Sequence, residues 1–223
     1  MQVCNVWKVL LMFMVWLYVA LFGCVSLYCT VGQQALLRVA HSDEMIRRML
    51  PAISSKTMSV IDRGGVLLDT YALAKAGHVK VETIIMLLRA YVDEDSYTVW
   101  VSLAGVLGGL NVLMEEVGGA PYTQFLVFAQ KIVKAAFLKV GWEAKSSDGH
   151  SENLLRNTLV GLLDVFCITD AEVVAEARRR FEGSFEEGGA SLLPADIKAT
   201  VLRIVIYNGG EAEYERVLQV GVA

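Results

Sequence analysis

Three histidines, four cysteines and adjacent carboxylates such as Asp93–Glu94 and Glu186–Glu187 are the side chains in this sequence best suited to chemistry. His41, His78 and His150 stand far apart, and HExxH is absent, so no helix can offer two zinc ligands on one face with a general base between them. No G-x-S-x-G elbow gives a serine a reason to be activated. Asp93–Glu94 and Glu186–Glu187 sit in polar, turn-like stretches, where ionised acids are expected to face water. General acid–base work needs a carboxyl whose pKa is displaced by burial or by a like charge, and neither pair advertises that. The glycine-rich GVLGGL, Gly105–Leu110, departs from GxGxxG and follows no strand pattern, so it is not read as a phosphate loop. Lys131, Lys134 and Lys139 could be taken for an anion-binding face, but a solvated lysine stripe is the plainer expectation. No residue is assigned a catalytic, cofactor-binding or metal-ligating role.

The elements that carry these residues are set by composition. A chain of 223 residues can form one sizeable domain or two small ones, and 55% hydrophobic content with mean hydropathy +0.47 is high for a soluble domain. Val9–Val31 runs without charge or proline and is long enough to cross the ~30 Å hydrocarbon core of a bilayer. A membrane-spanning or signal-anchor helix is the favoured reading. A signal peptide, whose apolar stretch is usually about 7–15 residues, and an apolar leader without a membrane role are the alternatives. Lys8 stands on one side, and Arg38, Arg47 and Arg48 stand on the other, which leans toward a cytosolic body. The alternative location is cytoplasmic, without a span.

A formal net charge of −4 gives no electrostatic footprint for nucleic acid, whose phosphates demand clustered Lys and Arg. Cys4, Cys24 and Cys29 fall in or beside the apolar leader and Cys167 stands alone, so no CxxC or disulfide framework is expected. Cys4 and Cys29 are the candidates for acylation at a membrane surface.

Beyond Gln34 one grammar recurs: an apolar stripe at helical spacing, closed by glycine or a polar turn, then a new stripe. Ser42 is expected to cap a short helix that Pro51 ends, because the residue before proline is pushed out of the helical region. Asp62–Ala76 reads as a helix with Gly77 as its left-handed terminator, followed by Val81–Val92. Pro121 suits the first turn of a helix that Gly141 ends. Thr169 and Glu172 form a T-x-x-E capping box, with Glu176 four residues before Arg180, and the arginine run 178–180 reads as surface chemistry. Pro194 opens the next helix and Gly209–Gly210 close it. Strand signals are nearly absent, so successive αα-hairpins without a fixed sequence period are expected.

The uncharged stretch Ser96–Met114 divides on a helix into two stripes. Thr98, Ser102, Gly105 and Gly109 form a small one, and Val99, Leu103, Val106, Leu110 and Leu113 form an apolar one. Gly105/Gly109 is a GxxxG, but acids flank the segment on both sides and no basic anchor adjoins it. A buried helix is preferred to a second span. The small stripe is expected to admit a neighbouring helix at close range.

Several stretches occur together in a recognisable order: LLRVAHSDEMIRRMLPAI (Leu36–Ile53), DRGGVLLDTYALAKAG (Asp62–Gly77), LLRAYVDEDSYTVWVSLAGVLGGL (Leu87–Leu110), VGW (Val140–Trp142), EVVAEARRRFE (Glu172–Glu182) and LPADIKATVLRIVIYNGG (Leu193–Gly210). Over roughly Leu36–Gln219 the chain resembles the C-terminal helical domain of zinc aminopeptidases of the puromycin-sensitive, endoplasmic-reticulum and aminopeptidase N type. YTVW and ARRRF look most like the puromycin-sensitive branch. The resemblance implies an all-α, HEAT- or armadillo-like superhelix that helps to enclose a peptide cavity. It also implies that zinc, the HExxH helix and the Gly-x-Met-x-Asn strand belong to a different domain, and none of these occurs in this sequence.

The expected organisation is an apolar leader over 1–35, a remnant of the preceding segment over 36–58, and a partial helical-repeat domain over 59–223. The expected function is that of a noncatalytic piece of an aminopeptidase-type protein, serving as a cavity wall or as a docking surface. A peptide or a full-length aminopeptidase is the expected partner, and residues 9–31 are expected to meet a membrane. The rival reading is a membrane-anchored helical-repeat module that binds an unrelated protein.

Overall fold

The computed structural model describes residues 38–185 and 193–221. Among these residues there are nine α-helices, one 3-10 turn and no strand, so the all-α expectation holds. The chain divides into two compact units, one reaching Leu87 and the other beginning at Leu88. The Val9–Val31 leader, Cys4, Cys24, Cys29 and the Glu186–Glu187 pair lie outside the described residues.

In the first unit, α1 spans Asp43–Ser54, α2 spans Val60–Lys75, and α3 spans Val81–Leu88, its last residue falling past the division. Ser42 caps α1 by accepting the Met45 N–H at 3.3 Å, as its position predicts. Pro51 does not end that helix. The ring is exposed, as is Arg47, whose carbonyl loses its usual donor, while continuing the helix for one more turn buries Ile53 beneath Ile46 and Met49. The chain leaves through Lys56 at φ 59°, whose N–H reaches the Ile53 carbonyl at 3.0 Å. Ser59 starts α2 before the expected Asp62 by accepting that residue's N–H. Gly77 terminates it at φ 77°, and the His78 N–H closes back onto Leu73 at 2.9 Å. Thr83 at the start of α3 donates to Asp43 at the start of α1 at 2.7 Å.

The second unit continues from Leu88 through a 3-10 turn, Arg89–Tyr91, so the helix expected to reach Val92 tightens early. Six helices follow: α4 Tyr97–Val117, α5 Gly119–Val140, α6 His150–Phe166, α7 Ala171–Gly183, α8 Ala195–Asn208 and α9 Glu211–Gly221. Helix α4 turns into α5 through Gly118 alone, with Gly118 and Gly119 at φ 65° and 62°, a reversal that side chains with a Cβ resist. Within the unit, α4 packs on α5 and α6, α6 on α5 and α8, and α8 on α7 and α9. Contacts therefore join sequence neighbours and alternate helices, the pattern of stacked helical hairpins in two layers. Trp100, Leu103, Leu107, Leu163, Phe181 and Ile204 lie in the shared core.

Helix α4 is the one described helix long and apolar enough to cross a membrane. Val99, Trp100, Leu103, Val106, Leu107 and Leu110 are buried against protein, which fits the core-helix expectation. The small stripe behaves otherwise than expected. At its Gly105 a Cβ would meet nothing within 4 Å, and the adjoining positions Val101, Gly108 and Val112, outside that stripe, are open as well, the two valines 50% and 61% exposed. Leu113, read as part of the buried stripe, is 48% exposed.

Candidate functional site

The polar side chains of the second unit gather at the ends of helices. Asp170, not Thr169, is the N-cap of α7: its Oδ1 accepts the Glu172 and Val173 N–H groups at 3.1 and 3.2 Å. The same carboxylate receives Lys134 Nζ at 2.8 Å and Gln130 Nε2 at 3.2 Å from α5. Lys134 also reaches Glu172 at 2.8 Å, so Glu172 does not fold back to complete a capping box. Burial works against charge on Asp170, yet the Lys134 and backbone hydrogen bonds hold its carboxyl below the usual range. Hydrogen bonds from Lys134 to Asp170 and Glu172 raise the Lys134 pKa in turn. The lysine stripe is therefore divided. Lys134 is an interhelical tie, Lys139 pairs with Asp93 at 2.9 Å on the surface, and Lys131 is exposed.

Arg180 overturns the reading of residues 178–180 as surface chemistry. Its side chain is 3% exposed. Its Nε donates to Glu176 at 2.8 Å, its Nη2 donates to Glu143 at 3.0 Å, and its guanidinium lies 5.4 Å from the Trp142 ring centre. The Trp142 ring meets Phe137 edge-on at 5.2 Å. Arg180 thus fastens the exit from α5 onto α7. Arg179 and Arg178 do remain on the surface, the first paired with Glu176 and the second donating to the Asn208 carbonyl. Farther along, Asp148 of the same connection pairs with buried Arg156 of α6, which also donates to Asn153 at 2.7 Å. A hydrogen bond from the Lys145 N–H, with the Arg156 contact, lowers the Asp148 pKa.

The Asp93–Glu94 pair also separates. Asp93 is exposed, whereas Glu94 is 3% exposed and turns its Oε1 onto the Asp95 and Ser96 N–H groups at 3.1 and 2.9 Å. The Glu94 carbonyl accepts the indole N–H of buried Trp100 at 3.0 Å. A backbone turn that only the folded chain displays converts this acid into an anchor for the start of α4.

The residue types of a zinc centre are present but dispersed. His78 and His150 are exposed, His41 is buried in the first unit, and Cys167 is buried in the second. Burial pushes the Cys167 thiol up to about 12, with Asp170 adding to the rise, which leaves it protonated and a poor ligand or nucleophile. Among the described residues no three His, Cys, Asp or Glu side chains gather as a metal would require. The carboxylates that are buried serve arginines, lysine or backbone amides. This donor set does not fit a catalytic zinc.

What the arrangement does is hold helices in a fixed stack. A family model described as the ERAP1-like C-terminal domain matches residues 31–220. The chain belongs to that family. Aminopeptidase M1-A of Oryza sativa subsp. japonica is 34% identical over 204 residues, covering 85% of this chain and 22% of its own length. Aminopeptidase M1 of Arabidopsis thaliana is 26% identical, with 88% and 22% covered. The puromycin-sensitive aminopeptidase of Caenorhabditis elegans is 23% identical, with 84% and 19% covered. This ERAP1-like domain spans about a fifth of the length of these curated relatives. The resemblance to an aminopeptidase helical domain is thereby established, and the helices, caps and ion ties above are its local build.

Proposed function

We propose that this ERAP1-like domain is a noncatalytic part of an aminopeptidase-type system and lends a helical wall or docking surface to a peptide-processing enzyme. The observation carrying the reading is a family match from residue 31 to 220 in a sequence without HExxH, whose described buried acids are engaged by arginines or backbone amides. Such a stack can shape a cavity and fix a partner while supplying no nucleophile or Lewis acid of its own. Peptides, or a complete aminopeptidase, are the partners that suit it.

Purified full chain, assayed with aminoacyl-naphthylamides and analysed for bound metal, should show neither turnover nor stoichiometric zinc. Added to a full-length M1-type aminopeptidase, it should co-sediment and change KM for peptides more than kcat. Stoichiometric zinc with hydrolysis by the chain alone would overturn the proposal.

A second reading is favoured by one surface: Val101, Gly105, Gly108 and Val112 form an open, uncharged stripe on α4. Together with the uncharged Val9–Val31 run, it suits a membrane-anchored module that binds an unrelated protein through helix packing. Fractionation followed by pull-down separates the two. Recovery of an aminopeptidase supports the first reading, and a membrane-retained chain with a different partner supports the second.

A further inference from the structure

His41 is a buried titratable side chain that the proposed function does not use. It is 8% exposed, and its Nδ1 is shielded from solvent without a hydrogen-bond partner. The stretch that carries it is held on α2 by one carboxylate, Asp69, itself 4% exposed. Asp69 Oδ1 accepts Arg38 Nη1 at 2.9 Å, and Oδ2 accepts the Val39 N–H at 3.2 Å. Both oxygens of Asp69 are thus engaged, and the charge facing His41 from α2 is already paired with Arg38 from the histidine's own segment. A proton on His41 Nδ1 would create a buried cation beside an anion that already has a partner in the solvent-exposed Arg38.

We propose that residues 38–42 form an acid-released latch on α2, closed while His41 is neutral and opened when a proton on His41 makes its buried position untenable. Burial lowers the His41 pKa from the ordinary 6.5, and Asp69 opposes this without reversing it. The sign follows from linkage. A released His41 takes up a proton as pH falls through about 6.5 and the seated one does so only at lower pH, so the latch is fully closed above that value and weakens below it. Between pH 7.5 and pH 5.5, one unit below the free histidine value, the released state gains population by a factor whose upper limit is about tenfold. The element affected is local, the chain entering α1, whose cap Ser42 is the next residue.

Amide hydrogen exchange on the full chain at pH 7.5 and 5.5, corrected for intrinsic exchange chemistry, reads the latch directly. The 38–42 amides should open more at pH 5.5, by up to about tenfold, in the wild type and in the surface control His78→Gln, while His41→Gln should show the same opening at both values. A wild type that does not change between the two, or a His41→Gln variant that still loses protection in acid, overturns the proposal. Direct titration of the wild-type His41 imidazole resonances stands independently of any variant. A midpoint below 6.5 supports the latch, and one at or above 6.5 defeats it.

Discussion

Helices α4 and α7 invert the usual relation between polarity and burial. Helix α4 carries no charge from Tyr97 to Met114, yet one of its sides is open, with Val101 and Val112 half or more exposed. Helix α7 carries three consecutive arginines, yet Arg180 is almost fully enclosed and makes two ion pairs and a ring contact. An uncharged helix needs only one apolar face satisfied, and a charged side chain can be buried wherever partners converge on it. Which side meets protein is a property of the neighbours.

The sharpest way to break this comparison is to empty the buried side of α4. Trp100→Ala removes a fully enclosed indole and its bond to the Glu94 carbonyl, and should cost about 3–5 kcal/mol in urea unfolding. Arg180→Ala should follow at about 2–4 kcal/mol, because it removes the cation that pairs with Glu143 and lies against Trp142, whereas Arg179→Ala, at an exposed position, should leave the unfolding midpoint nearly unchanged. Equal costs for the two arginines would erase the distinction drawn between them.

Asp170→Ala should cost about 1–2 kcal/mol through the lost cap and the Lys134 tie. Its carboxyl is held below the ordinary 3.8, so the contribution is present above that value and lost as pH falls through the lower folded value. Acid unfolding curves of wild type and Asp170→Ala should therefore converge at the lowest pH. The smallest effect belongs to the open side of α4, where Val112→Asn should change stability by no more than about 0.5 kcal/mol. A larger loss would mean that this stripe is covered in solution.

Much of the helix inventory is legible in the residues, since Ser42, Gly77, Pro121, Gly141 and Pro194 punctuate the chain at or near observed helix ends. Helix α6, His150–Phe166, lacks such a signal: it begins after Gly149 with no side-chain cap, and residue patterns alone do not single it out. Thr169 and Asp170 are both acceptable caps by type. The approach of Lys134 and Gln130 from α5 decides for the acid. Pro51 breaks helices on average, but the burial of Ile53 outweighs one lost backbone bond at an exposed position. Arg180 could not be told from its two neighbours, because Trp142 and Glu143 lie more than thirty residues away in sequence.

The sequence by itself determined an all-helical chain, its main punctuation, its lack of an HExxH zinc helix and its kinship with the aminopeptidase helical domain. These are matters of local dihedral preference, spacing and residue type, which each segment carries with it. Only the tertiary structure decided which side of α4 is covered, which arginine is enclosed, and which acids became helix anchors. Those outcomes depend on desolvation and partner geometry, and neither exists until distant segments meet.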